Sequence, residues 1–288
     1  MGLTVEKVKE LLEKLPTMSP SASKIMSMAN DPECAPADLI NVIKVDMVLT
    51  AKVLKLVNSA YFALPNQIPS INQAVVLLGI NTLKNLAFST AMVSVVNTSK
   101  IKAKNYDDNV FWEHSIAVSV AGKMLARKAG VNRAILEEFF ISGLLHDIGK
   151  VIFMTFFTEP YDKLLGKLAT SGKTLEELEK QTTGLSHSEV GEYMASTWKL
   201  SPILQRIIKN HHILTPIEGD EPQHAITVLA DIAAHRAGFG EVFAGDLEGA
   251  LQYPEELLAS TKLTVDQLKE VEELLPEELE KAKILLSL

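Results

Sequence analysis

Residues 133–157 read RAILEEFFISGLLHDIGKVIFMTFF, an apolar run of helical length with an adjacent His146 and Asp147 set inside it. A ring that can bind metal and a carboxylate that carries charge are both costly to bury without partners. Other parts of the chain must therefore fold to meet this pair, which fixes the kind of architecture to look for. The run is expected as one long helix, or as two that break near Gly149.

The rest of the chain follows the same period. Val5, Val8, Leu11, Leu12 and Leu15 recur at helical spacing before Pro16, and further helices are expected over residues 20–30, from 36 through 43, and over 50–61, 71–78 and 82–96. Gly79 stands where a helix C-cap is expected. In the second half the spacing predicts helices over 110–129, 161–171, 174–181, 186–197, 202–211 and 223–237, then two short acidic ones over 265–274 and 276–286. Ser115, Ala117, Ser119, Ala121 and Gly122 are small enough to admit a neighbouring helix closely. No alternating β-branched run bounded by hairpin turns occurs. The fold class is all-α, a multi-helix bundle, with an N-terminal helical subdomain at 1–100, a second helical subdomain at 108–240 and an acidic helical extension at 241–288. Polar residues 97–109 are read as the connector.

With 288 residues and 47% hydrophobic side chains, the chain has the composition of a folded protein rather than a disordered one. The single cysteine, Cys34, rules out an internal disulfide and a thiolate-rich zinc site, which favours a reducing, cytoplasmic setting. The opening residues carry no basic-then-apolar leader, and the uncharged stretch 85–99 is too short for a membrane span. Charge is uneven: residues 241–288 hold 12 acids and 4 bases, and the remainder is balanced at 24 of each. Between Asp46 and Asp107 there is no acid, whereas Lys52, Lys55, Lys84, Lys100, Lys102 and Lys104 fall there. Six lysines without an aromatic-rich patch fall short of a nucleic-acid footprint, so no nucleic-acid partner is expected.

Seven histidines lie at 114, 146, 187, 211, 212, 224 and 235. One helix cannot supply four ligands around a point, so a metal site needs imidazoles and carboxylates converging from several elements. Asp231, inside TVLADIAAHRAG, is a carboxylate among apolar neighbours and asks for a partner as His146 and Asp147 do. His224 and His235, each on an apolar helix, are read as hydrogen-bonded core residues. Trp112, Phe139 and Phe140 are read as core rather than as a pocket wall.

The order His, His-Asp, His, His-His, Asp resembles the metal-binding pattern of the HD phosphohydrolase superfamily. By that resemblance His114, His146, Asp147 and Asp231 match the core ligand set, and His187, His211 and His212 match the extra ligands of its two-metal branch, which includes the HD-GYP phosphodiesterases. Lys150, in HDIGK, matches a lysine near the substrate phosphate, so Asp147 and Lys150 are the implied catalytic pair. The first half narrows the match: LPTMSPSASKIM (15–26), NDP (30–32), KVDMVLTAKVLKLVNSAYF (44–62) and IPSINQAVVLLGINTLKNL (68–86) are similar to the HDOD domain, a bacterial signalling module, over about residues 15–238. Most HDOD proteins have lost part of the metal set, whereas every candidate ligand is kept here. After His212 the chain runs ILTPIEGDEP without a Gly-Tyr-Pro element, so cyclic di-GMP hydrolysis does not carry over.

The resemblance thus implies a signal-transduction module acting through protein partners in trans, with a retained metal site. The alternative is a metal-dependent phosphohydrolase acting on a nucleotide or other phosphate ester. Five imidazoles and two carboxylates favour iron or manganese, with nickel or zinc next, as one ion or two.

Overall fold

The computed structural model describes residues 4–14, 20–29, 35–97, 108–219, 222–240 and 251–287, and the described residues contain helices and no strand. The connector residues 98–107, the motif pieces 15–19 and 30–34 with Cys34, and residues 241–250 lie outside them.

The first half consists of α1 (Val5–Leu12), α2 (Pro20–Ala29), α3 (Pro36–Val45), α4 (Met47–Val57), α5 (Ile71–Leu78) and α6 (Ile80–Asn97). Helix α4 begins earlier than the expected residue 50 because the Asp46 side chain accepts from the Leu49 amide and caps it. Gly79 ends α5 at φ +83°, a conformation that suits glycine. Helices α2, α3, α4 and α5 all pack on α6, while α1 lies instead against two helices of the second half, Lys150–Phe156 and His187–Thr197.

Asn58 joins α4 to α5. Its side chain donates to the Leu54 and Ile68 carbonyls at 2.8 and 2.9 Å and accepts from the Ile68 amide at 2.6 Å. An Asn58→Ala change orphans both polar groups of Ile68, which is 3% exposed. It is expected to cost about 2–3 kcal/mol, read as a lower urea midpoint with an unchanged m-value.

The second half is built on α7 (Asp108–Lys128), followed by α8 (Leu136–Leu145), α9 (Lys150–Phe156), α10 (Thr158–Ser171), α11 (Leu175–Thr183), α12 (His187–Thr197), α13 (Pro202–Asn210) and α14 (Gln223–Arg236). The apolar run of 133–157 is therefore not one helix: a 3-10 turn opens it and residues 146–149 break it. Arg133–Phe156 is long and apolar enough to cross a membrane by length and composition, a stronger candidate than 85–99, but 89% of its apolar window is buried inside this fold.

Helix α8 crosses α7 with backbone almost against backbone. A Cβ on Gly143 would stand 2.5 Å from the Ser119 nitrogen, so only glycine fits, and of the small residues of α7 Ser119 and Gly122 face α8. That crossing sets His146, one turn beyond Gly143, beside His114. The C-terminal helices α15 (Glu255–Thr261) and α16 (Val265–Ala282) pack on α14, and α16 also on α7. The two acidic helices expected over 265–286 are in fact one helix running through Pro276, then a 3-10 turn. Leu268, Val271, Leu275 and Leu279 form a single buried stripe, and its burial outweighs the hydrogen bond lost at proline. Trp112, Phe139 and Phe140 are buried in a core that is continuous from Val8 to Leu285.

Candidate metal centre

Each candidate ligand sits at a helix end or within about two turns of one. His114 lies on α7, His146 ends α8, Asp147 stands in the break, His187 opens α12, His211-His212 follow α13, and Asp231 lies on α14. The break holds Asp147 inward because Gly149 approaches α12 closer than any side chain permits. A Cβ there would lie 1.9 Å from the His187 carbonyl oxygen and 2.6 Å from the Gly191 nitrogen.

The structure brings all seven side chains to one place, around Asp147. On one side, Asp147 Oδ2 is 3.5 Å from His114 Nε2 and 3.3 Å from His146 Nε2, and Asp231 Oδ1 is 3.3 Å from His114 Nε2. On the other, Asp147 Oδ1 is 3.4 Å from His187 Nε2 and 3.3 Å from His211 Nε2, and His212 Nε2 lies 2.9 Å from that of His187. The carboxylate thus offers one oxygen to each of two ligand groups.

The outer ring atoms settle which nitrogens face inward with a free lone pair. His114 Nδ1 lies 2.7 Å from the Phe239 carbonyl, His146 Nδ1 2.7 Å from that of Gly143, and His211 Nδ1 2.8 Å from that of Ile208. A carbonyl only accepts, so each Nδ1 carries a proton, and the neutral form of each ring would turn a bare Nε2 toward the centre. His187 Nδ1 and its backbone amide both donate to Glu179 Oε2 at 2.7 Å, and Tyr161 donates to Glu179 Oε1 at 3.0 Å.

This arrangement fits a divalent cation. Ring nitrogens face one another and carboxylate oxygens, and Asp147 Oδ1 is buried with no hydrogen-bond partner. Such a cluster repels itself until positive charge enters it, and imidazole with carboxylate is a donor set for iron, manganese, nickel or zinc. Burial works to raise the Asp147 carboxyl, but Lys150 and then His146 overcome it and hold the group well below the carboxylate range. Burial likewise opposes ionisation of Asp231, and His235 reverses that. Desolvation of its inward-facing edge, with the neighbouring His211 and His187 rings, holds His212 well below its usual value although the residue as a whole is exposed, so it stays neutral and available as a ligand.

Lys150 is buried, with Nζ 2.7 Å from Asp147 Oδ2. His224 is the core residue expected: buried, with Nε2 2.9 Å from the Asn210 carbonyl at the end of α13. His235 is not. Its Nδ1 lies 3.1 Å from Asp231 Oδ1 and its ring stacks edge-on to His114, at the rim of the centre. Burial disfavours its charged form, yet Asp231 holds its pKa up at about 9. The i, i+4 spacing of Asp231 and His235 was the signal available in the sequence. Glu179 and the Phe239 carbonyl left none, since each meets its histidine only through the fold.

Glu179 orients His187 without facing the centre itself. Glu179→Gln is expected to weaken metal binding about 10–100-fold while the helix content holds, read by competition with a chromophoric chelator.

A family model for the HDOD domain matches residues 15–214. An uncharacterized protein of Treponema pallidum is 25% identical over 263 residues, which are 90% of this chain and 48% of that one, so the chain spans about half the length of this curated relative. Among solved structures, an HDOD domain protein of unknown function from Geobacter sulfurreducens superposes with a TM-score of 0.72 at 23% identity, covering 95% of this chain and 97% of that one. A candidate phosphohydrolase of Shewanella amazonensis gives 0.72 at 22% identity, covering 96% and 97%. At these identities the likeness extends to the fold.

Proposed function

We propose, from the premise that this chain belongs to the HDOD domain family, that it holds a two-ion divalent metal centre and uses it to hydrolyse a phosphate ester. One observation carries this reading: Asp147 presents its two oxygens to two separate groups of inward-facing ligands. His114, His146 and Asp231 would hold one ion and His187, His211 and His212 the other, with Asp147 shared and iron or manganese the first choice. Ions so placed supply Lewis acidity toward a phosphoryl group and lower the pKa of water.

The chain's own groups do the rest. Lys150 adds a fixed positive charge beside Asp147, of the sign that phosphate oxygens need. The deep members, His146, Asp147, His187 and His211, are closed from water, whereas His212 is exposed and Asp231 and His235 are partly so. A substrate would therefore approach from the His212 and His235 side. The test is elemental analysis of protein purified without added metal, followed by a screen of phosphate mono- and diesters, cyclic dinucleotides included. Metal with turnover is the expected result; metal-free protein refutes the centre.

A second reading, a signalling module acting through partners with a structural metal, is favoured by a different feature. Val45, Met47, Val48, Val76 and Leu77 are exposed large hydrophobics of the first half, the last four on its acid-free stretch 47–106 and the first three at the α3–α4 corner. Asn58 ties the end of α4 to the segment leading into α5, and α5 packs on both α3 and α4. Apolar surface of this kind marks interaction sites. Metal without turnover on any ester favours this reading.

A further inference from the structure

The centre is not the only concave feature. A cavity of about 340 Å³ lies where the two halves meet, between α6 and the starts of α8, α13 and α14. Lys84 and Phe88 of α6 form one wall, Glu138 and Ile141 of α8 another, and Leu204 and Gln223 close it. Gln223 donates to the Ser142 hydroxyl at 2.7 Å and to the Glu138 carbonyl at 3.2 Å, which fixes the start of α14 to α8 and makes the wall rigid.

Its lining has a definite chemistry. A cation and a carboxylate stand on different helices, with no ion pair within 4 Å between them among the described residues. The rest of the lining is mixed, with Phe88, Ile141 and Leu204 beside Asn85, Ser201 and Gln223, in a volume at the small end of the range for ligand sites. A nucleotide would bring phosphate against Glu138, and a plain hydrocarbon would leave the lysine, the carboxylate and the polar lining unused. We propose that this cavity binds a small amphoteric effector, an apolar amino acid or dipeptide, with its carboxylate at Lys84, its ammonium at Glu138 and its side chain on Phe88, Ile141 and Leu204.

The position suggests what binding does. The same three helices that wall the cavity carry His146-Asp147, His211-His212 and Asp231 further along. From Ile141 to His146, from Leu204 to His211 and from Gln223 to Asp231 is about 7–12 Å of helix rise. An occupant would set the spacing of α8, α13 and α14 against α6, and with it the geometry of the ligands. That coupling rests on the proposed metal centre; the binding itself does not.

Calorimetry on the full chain tests the site with L-phenylalanine, L-leucine and leucyl-leucine as probes, against N-acetyl-L-phenylalanine and L-phenylalaninamide. At least one amphoteric probe is expected to bind saturably, and the two derivatives of phenylalanine at least about tenfold more weakly than their parent. Lys84→Met should erase the preference over the amide, Glu138→Gln the preference over the N-acetyl form, and Ile141→Trp should fill the cavity and abolish binding. Silence from all three amphoteric probes, or equal binding of phenylalanine and its derivatives, overturns the proposal on wild-type protein alone, whatever the variants do. The rate at which a chelator extracts metal, with and without the bound probe, reads the coupling. An unchanged rate overturns the coupling, and a metal-free chain overturns the proposed function while calorimetry still decides the cavity.

Discussion

Asp147→Asn is expected to leave the purified chain with less than about a tenth of the wild-type metal, in both ligand groups at once. The amide keeps the shape of the carboxylate but removes its charge and turns one of its two acceptor oxygens into a donor facing bare histidine nitrogens. Elemental analysis reads the loss directly, and unchanged metal content would remove Asp147 from the centre. A second consequence separates the metal effect from folding. Lys150 is buried against Asp147, and taking away that carboxylate weakens the compensation of a buried ammonium, a change that costs up to about 3–5 kcal/mol in such settings. Adding Lys150→Met should restore much of that stability without restoring metal.

Gly149→Ala is expected to be the most damaging single methyl in the chain. Its Cβ would meet backbone atoms, the His187 carbonyl at 1.9 Å and the Gly191 nitrogen at 2.6 Å, and no rotamer change relieves a backbone clash. Either α9 and α12 separate or the break at 146–149 unwinds, and both move His187 away from Asp147. A cost above about 4 kcal/mol is expected, enough to remove folded protein at 37 °C. Gly166→Ala supplies the control: the position lies within α10 with nothing within 4 Å of the added carbon, so a gain of up to about 1 kcal/mol is expected there. Denaturant midpoints of the two variants should move in opposite directions; similar midpoints would mean that the α9–α12 approach has been misjudged.

What the sequence could and could not say divides along physical lines. Helices of the second half were readable from period alone because their apolar stripes are local, and the limits of α12 and α13 fall within a residue or two of the expected ones. The seven candidate ligands were readable only as an ordered set, through the resemblance to the HD pattern, because a single histidine on an apolar helix reads as core. The break at 146–149 was only half legible: Gly149 hinted at it, but its cause is a neighbour 38 residues downstream at His187. Glu179 was hidden for the opposite reason. In TLEELEKQ it is one of several acids on a polar helix, and only the packing of α11 against α12 buries it completely and turns it onto His187. The helix through Pro276 shows the same limit, since a local breaker was overruled by a stripe of leucines meeting α7.

Exposure across the cluster is graded, from His212 at the surface to Asp147 and His187 at 2% and 0%. An ion can reach the deepest donors only by shedding its hydration shell past the outer ones, and must regain that shell to leave. Exchange with the medium would be slow for this reason, whatever the affinity. The element found after purification would then record the supply in the cell at the time of folding rather than the preference of the ligands.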